Sequence, residues 1–221
     1  MSKEKLAVLR AKGYDFDIQN LFERAWGMYR IQPLLNASFT MLIISANLLA
    51  ALYLKDYAFL YSLFLAPHLF SGFYFVANKF SQGQQVVYPD FFKGLSFYIP
   101  IFSVWLIGQM ITALGFVALV IPGVYFLVAY NFAVLMVIFG GFDFWTALEE
   151  SRKLITVRWG KFAVLVIILI VINILGALLF LFGLIVTLPI SYYVTYILFE
   201  DLTEDVFAEE GSGQSSYSSG S

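Results

Sequence analysis

The chain has no cysteine and a single histidine, His68, and Asp, Glu, Lys and Arg together make up only 13% of its 221 residues. Without cysteine there is no disulfide framework, no thiolate nucleophile and no Cys-ligated metal. One histidine, with no carboxylate inside an apolar run, supplies too few ligands for a metal centre. No Gly-x-Ser-x-Gly, His-Glu-x-x-His or Gly-rich phosphate loop is present. An intramembrane protease would need a paired Asp, Ser–His or zinc set, to which only His68 could contribute. The inventory points away from an enzyme and toward no cofactor. A soluble domain carries roughly twice this share of charge. Its polar exterior cannot be drawn from a sequence that is 61% hydrophobic and 19% aromatic.

The charge that is present is segregated. Of the 13 Lys and Arg residues, all but Lys55 fall in three stretches. The first holds Lys3, Lys5, Arg10, Lys12, Arg24 and Arg30, the second Lys79 and Lys93, the third Arg152, Lys153, Arg158 and Lys161. A charge at a helix centre costs about 2.5–3.5 kcal/mol on insertion scales, so this segregation is what a bilayer imposes. The net charge of −2 has no bearing on orientation, which follows Lys and Arg.

Crossing about 30 Å of hydrocarbon takes roughly 20 apolar residues. Six candidate spans result: 34–54, 59–77, 97–120, 124–140, 162–182 and 184–199. The expected fold is all-α: a polytopic membrane protein whose six transmembrane helices form three helical hairpins, each preceded by an inner interfacial amphipathic helix. Residues 1–33 form a cytoplasmic arm with an amphipathic helix, 34–200 the six-helix domain, and 201–221 a polar C-terminal tail expected to be disordered. From Ala208 that tail is rich in Gly and Ser and can bury nothing. With every basic stretch on one side, both termini are expected to be cytoplasmic. The first 30 residues hold no apolar core of signal-peptide length, so no cleavage is expected.

An internal repeat accompanies the spans. Asp17, Asp90 and Asp143 each stand before an apolar residue, and Phe22, Leu95 and Leu148 follow five residues later. Pro67, Pro122 and Pro189 each precede an aromatic by three residues: Phe70, Tyr125 and Tyr192. Asp suits an N-cap, and Pro suits a first turn because its missing N–H costs nothing there. The inner helices have readable faces. Ile18, Leu21, Phe22, Ala25 and Tyr29 share one, with Gln19, Glu23, Arg24 and Arg30 away from it. In the third copy Phe144, Leu148, Ile155 and Trp159 form the apolar face, Trp145 and Arg152 edge it, and Glu149, Lys153 and Thr156 point away. Such helices lie in the membrane interface as elbows between spans, or dock a partner or sense lipid.

Ile121-Pro122-Gly123-Val124-Tyr125 leads into Tyr130-Asn131-Phe132-Ala133. Then come Ala147-Leu148-Glu149-Glu150-Ser151-Arg152-Lys153-Leu154 and Val186-Thr187-Leu188-Pro189-Ile190. This order resembles a group of bacterial membrane proteins that includes the membrane domain of some glycerophosphodiester phosphodiesterases and uncharacterised six-span inner-membrane proteins. The resemblance implies a six-helix fold in the bacterial inner membrane. It does not imply hydrolysis, because the soluble catalytic domain and its metal-binding carboxylate and His clusters are missing.

Two functions follow. The leading expectation is a non-enzymatic scaffold or accessory subunit of a membrane complex. Its candidate partner surface is Phe22, Trp26, Trp145, Leu148, Arg152 and Lys153. The alternative is a lipid-handling protein or a transporter of a small neutral solute. It draws on uncharged polar residues within the spans, Asn36, Asn47, Gln109, Asn131 and Asn173, which otherwise serve as helix–helix hydrogen-bond partners. Asn131, Asn173 and Gln109 are its candidate intramembrane contacts, and it requires Asn131 and Asn173 to face one shared cavity. His68 reads as a neutral partner in a helix–helix hydrogen bond. The expected partners are membrane lipid and another membrane or cytoplasmic protein. Nucleic acid is not expected, since the basic residues are interleaved with acids.

Overall fold

Residues 3–179 and 181–215 are described by the computed structural model, with side chains as far as Glu204; the last tail residues, 216–221, lie outside the described residues. Every regular element among them is helical. The polar arm holds two helices: α1 (Lys3–Lys12), anchored by the fully buried Leu6, and α2 (Ile18–Ile31). Asp17 starts α2 by accepting the backbone N–H groups of Gln19 at 2.8 Å and Asn20 at 3.3 Å, two donors that have no carbonyl partner in a first turn. The face expected inward is inward: Leu21, Ala25 and Tyr29 are buried.

α3 (Pro33–Leu49) opens on a proline at its first turn and runs into a π-turn at Ala50–Leu54. The chain reverses at Lys55, which takes a left-handed φ of 46°. It returns through α4 (Ala58–Phe64) and α5 (Ala66–Ser81), separated by a break at Leu65 that places Pro67 in the first turn of α5. The Phe39 and Phe73 rings then lie 5.3 Å apart, so α3 and α5 run side by side.

A 3₁₀ segment, Tyr88–Phe97, stands where the second inner amphipathic helix was expected. Asp90 is not its N-cap. With Pro89 already in the first turn, Asp90 reaches back to the Val87 N–H at 2.9 Å and joins Lys79 at 2.7 Å and Lys93 at 3.1 Å. The segment lies directly on α5, because a Cβ on Gly72 would strike the Phe91 carbonyl and one on Gly94 the His68 carbonyl.

α6 (Tyr98–Ala118) ends at the extended Leu119, and α7 (Val120–Ala129) folds back along it. A Cβ on Gly115 would sit 3.0 Å from the Gly123 nitrogen, and one on Gly108 3.8 Å from the Tyr130 ring. The fourth apolar run, expected as one helix over 124–140, is broken at Tyr130–Phe132 before α8 (Ala133–Ile138). The cause comes from α9 (Phe144–Thr156), which Asp143 caps through the Thr146 N–H at 3.0 Å. The buried Ser151 hydroxyl donates to the Ala129 carbonyl at 2.7 Å and accepts from the Phe132 N–H at 3.2 Å. One side chain thus occupies both backbone groups that the break leaves open.

α10 (Trp159–Leu178) turns at Leu181, φ 67°, into α11 (Leu184–Ser215). The two helices touch backbone to backbone at Gly176 and Gly183. The backbone of the polar tail, expected to be disordered, instead continues α11 as a helix through Ser215.

Four helical stretches among the described residues are long and apolar enough to cross a membrane: Pro33–Ser81, Tyr88–Ala118, Val120–Ile138 and Trp159–Leu178. The first, at 49 residues, would reach about 74 Å as one straight helix, but it doubles back at Lys55. The expected sixth span, 184–199, is the apolar half of α11 and is not among the four.

α11 is the hub, packed against α2, α3, α5 and α10. Its buried Tyr193 donates to Asn36 Oδ1 at 2.5 Å, and Asn36 Nδ2 donates to the Tyr29 carbonyl at 3.1 Å, so three helices share one chain of hydrogen bonds. Phe132 bridges the other side, meeting Phe162 and Phe199 edge to face at 5.4 and 5.5 Å. On the polar end, Arg24 grips Asp201 with two bonds of 2.6 and 2.8 Å, Lys161 meets Asp15 at 2.5 Å, and Arg10 pairs with Glu150.

Candidate functional site

A cavity of about 530 Å³ lies among the apolar helices, and both Asn131 and Asn173 line it. Its other polar walls are Tyr74, Ser191, Tyr192 and Thr195, and its lining contains no charged side chain. Asn131 is delivered by the break between α7 and α8 that Ser151 holds open. Asn173 faces the cavity from α10 with its amide locked: Nδ2 donates to the Leu169 carbonyl at 2.8 Å and to Ser191 Oγ at 2.6 Å. Its Oδ1 is buried with no partner. A buried acceptor left open costs about 1–3 kcal/mol, and in hydrocarbon no water meets it. Ile170 and Ile174 also line the cavity, yet they stand 45% and 55% exposed on the outer side of α10. The cavity therefore opens sideways between helices, toward the surface that lipid would cover.

Two smaller hollows share its walls. One of about 400 Å³ takes Tyr74 and Tyr192 from the first and adds Asn47, Ser71 and Trp105. Another, of about 210 Å³, takes Trp105 from the second and Asn131 from the first, and adds Gln109 and Thr112. Asn47, Gln109 and Asn173 thus line one hollow each, and each sits on the outgoing helix of a pair that folds back. Asn47 is held by the Ile43 carbonyl at 2.9 Å.

A fourth cavity, of about 500 Å³, lies at the polar end between α5 and α11, lined by Asn78, Gln82, Phe139, Tyr196, Glu200 and Glu204. Tyr74 and Asn78 on α5 and Gln82 at its C-terminal cap recur at four-residue spacing along one face, as do Tyr192, Tyr196 and Glu200 on α11. The two large cavities therefore follow one helix seam, with Tyr196 between them. Its hydroxyl accepts from Asn78 at 2.8 Å and donates to Glu200 at 2.9 Å; Ser81 also donates to that Glu200 oxygen, at 2.5 Å.

The candidate partner surface divides. Trp26, 45% exposed and stacked on Tyr29, and Trp145, 59% exposed, are accessible. Phe22 is half-buried. Leu148 is buried, with its side chain against Gly108 of α6, and cannot meet a partner. Of the apolar face expected on α9, Leu148 and Ile155 are buried and Trp159 is half-buried, whereas Phe144 is exposed and the buried side extends to Ala147, Ser151 and Leu154. Packing explains the shift, since α9 is covered by α6, α7 and α8 on one side and by α1 on the other. Glu150 is buried beneath α1 and paired with Arg10. Lys153 and Arg152 both meet Glu149 at 3.1 Å. The Lys153 hydrogen bond outweighs partial desolvation and, with Arg152, holds the Glu149 carboxyl below its usual range.

His68 lies flat on the Tyr98 ring, centroids 4.1 Å apart, with Nε2 3.0 Å from the Tyr98 carbonyl. A carbonyl only accepts, so Nε2 carries the proton. This is the helix–helix hydrogen bond that the sequence suggested. No group of three or more His, Cys, Asp or Glu residues among those described is placed to hold a metal. The residues that sequence reasoning missed are Tyr74, Ser151, Ser191 and Thr195. The i, i+4 spacing of Ser191 and Thr195, beside Tyr192, was the available signal for a polar stripe. The chain matches no protein-family model, no characterised protein and no solved structure.

Proposed function

We propose that the chain is a non-enzymatic, multi-pass protein of a bacterial inner membrane that binds and handles an amphipathic lipid or a small neutral solute within the bilayer. The observation carrying this reading is the uncharged cavity shared by Asn131 and Asn173. Preformed concave sites of about 300–1,000 Å³, mostly apolar with a few convergent polar groups, are the usual form of a ligand site. Six spans in three hairpins, with both termini on the basic side, fit the reversals at Lys55, Leu119 and Leu181 and the segregation of Lys and Arg. On that arrangement Asn173 lies 14 residues beyond Trp159, about 21 Å along α10 and well inside the hydrocarbon. The resemblance to six-span inner-membrane proteins agrees with it.

The scaffold reading retains a smaller surface, made of Trp26, Trp145, Arg152 and Lys153, and draws on the exposure of the two tryptophans. Reconstitution decides between the readings. A lipid labelled with nitrobenzoxadiazole is placed in both leaflets of liposomes, and its exposure to dithionite is followed in time. A lipid handler speeds loss of the protected signal over protein-free liposomes, and Asn131→Leu and Asn173→Leu slow it again. Identical traces with and without protein would sink the carrier reading. Extraction with one co-purifying protein at fixed stoichiometry would establish the scaffold in its place.

A further inference from the structure

The chemistry of the shared cavity narrows its ligand, on the reading that it is a ligand site at all. Its lining offers no Lys, Arg, His, Asp or Glu. A phosphate or an ammonium entering there would lose its hydration with no counter-charge, at a cost of several kcal/mol, so the polar part of the ligand is uncharged.

The open hydrogen-bonding groups say more. Asn173 cannot flip its amide, because its oxygen would then face the Leu169 carbonyl, so the unpartnered atom is an acceptor and asks for an O–H or N–H donor. Ser191 is already committed, donating to the Thr187 carbonyl at 2.7 Å while it accepts from Asn173. Tyr74 is buried and Tyr192 half-buried, and neither hydroxyl makes a protein hydrogen bond among the described residues. The Asn131 amide has none either and offers a donor and an acceptor at once. A ligand that satisfies this set both donates and accepts, as a hydroxyl beside an ester does. Access runs past Ile170 and Ile174, which are lining and outward-facing together, so the ligand arrives from the bilayer.

We propose that this cavity selects a neutral, hydroxyl-bearing lipid: the uncharged headgroup hydrogen-bonds Asn131, Asn173, Tyr74 and Tyr192 while the acyl chains leave between the helices past Ile170 and Ile174. Diacylglycerol is the simplest probe of that class. Phosphatidylglycerol with the same chains tests the charge, and free glycerol tests whether the hydroxyls alone suffice.

The full chain is reconstituted into phosphatidylcholine nanodiscs doped equally with diacylglycerol and phosphatidylglycerol, extracted gently, and weighed with its retained lipid by native mass spectrometry. Diacylglycerol is expected to be retained at least about tenfold over phosphatidylglycerol. Asn131→Leu and Asn173→Leu should each lower its retention by about tenfold, the effect of one well-made hydrogen bond. Ala177→Trp, which fills the cavity from its wall, should abolish it. Equal or greater retention of phosphatidylglycerol overturns the neutral-lipid class. Displacement of diacylglycerol by millimolar glycerol overturns the lipid source in favour of a soluble polyol. If Ala177→Trp removes every retained lipid while phosphatidylglycerol is preferred, the cavity stands as a lipid site and only the class fails. If Ala177→Trp removes none, the site itself fails. Should an Asn→Leu variant not fold, the wild-type ratio and Ala177→Trp still decide the matter.

Discussion

Removing the Ser151 hydroxyl tests whether one side chain keeps the fourth apolar run broken. In Ser151→Ala the Ala129 carbonyl and the Phe132 N–H lose the only partner they have among the described residues. Two buried backbone groups left open would cost about 2–6 kcal/mol at 1–3 kcal/mol each. The chain has a cheaper answer. The Ala133 N–H now bonds the Tyr130 carbonyl at 3.0 Å; closing the break into regular helix would redirect it to Ala129 and return the Phe132 N–H to Val128. That relief caps the loss at about 2 kcal/mol, in keeping with the modest worth of hydrogen bonds inside membrane proteins. It also turns Asn131 away from its present position. The expected result is a fall in Tm of about 4–8 °C, read by circular dichroism in detergent, together with loss of the Asn131 contribution to ligand retention. A Ser151→Ala protein that melts within about 1 °C of the parent and retains ligand normally would refute the argument.

Other consequences are open to direct measurement. Asp143→Ala should destabilise the protein by about 1 kcal/mol through the lost cap, and Asp143→Asn by much less. The Thr146 N–H holds the Asp143 carboxyl below its usual range, and Lys153 does the same for Glu149. Both groups therefore stabilise the fold above the ordinary carboxylate range, and that contribution fades as pH falls through their depressed values. A melting series from pH 7 to pH 3 should show the loss in the parent and a smaller one in Asp143→Asn. Gly183→Val drives a side chain into Gly176 and should cost about 1–3 kcal/mol; an unchanged melting curve would mean that α10 and α11 part freely. Arg24→Ala removes an exposed ion pair and should shift stability by less than about 1 kcal/mol. Tyr196→Phe removes the hydroxyl that links Asn78 to Glu200 and should speed solvent access to a cysteine placed at Thr195, measured by the rate of thiol labelling.

What was legible in the sequence was whatever depends on near neighbours or on the bilayer. Asp17 and Asp143 cap their helices because the N–H groups they serve lie two or three residues away. The buried face of α2 follows from its own period. Asp90 carries the same local signature, but the adjacent Pro89 shifts its helical position and its carboxylate meets Lys79, a residue of another helix that lies outside a window of ten residues. The same limit hid part of the buried face of α9, although Leu148 and Ile155 were placed on it. Phe144 and Trp159 match an amphipathic period, but α1 covers the far side of the helix and draws Glu150 inward to Arg10. The break at Tyr130–Phe132 was illegible for the same reason, since Ser151, which creates it, stands about twenty residues downstream.

The cavity brings these strands together. The lipid-handling reading required two amides far apart in sequence to meet at one hollow, and Asn131 and Asn173 do so only because an α9 serine opens one helix while α10 holds the other amide rigid. An amide that merely glued helices would engage both of its ends, as Asn36 does by donating to the Tyr29 carbonyl and accepting from Tyr193. Asn173 engages only its Nδ2 and leaves Oδ1 without a partner. Asn47, Gln109 and Asn173 each stand between about two and three helical turns before their reversals and line adjoining hollows. Packing alone gives no reason for that recurrence, whereas a lipid headgroup passing from one hollow to the next would need an amide in each. Replacing Gln109 with Leu should therefore slow lipid movement while leaving retention at the Asn131 and Asn173 cavity intact, and a variant that lost both together would reduce the three hollows to one site.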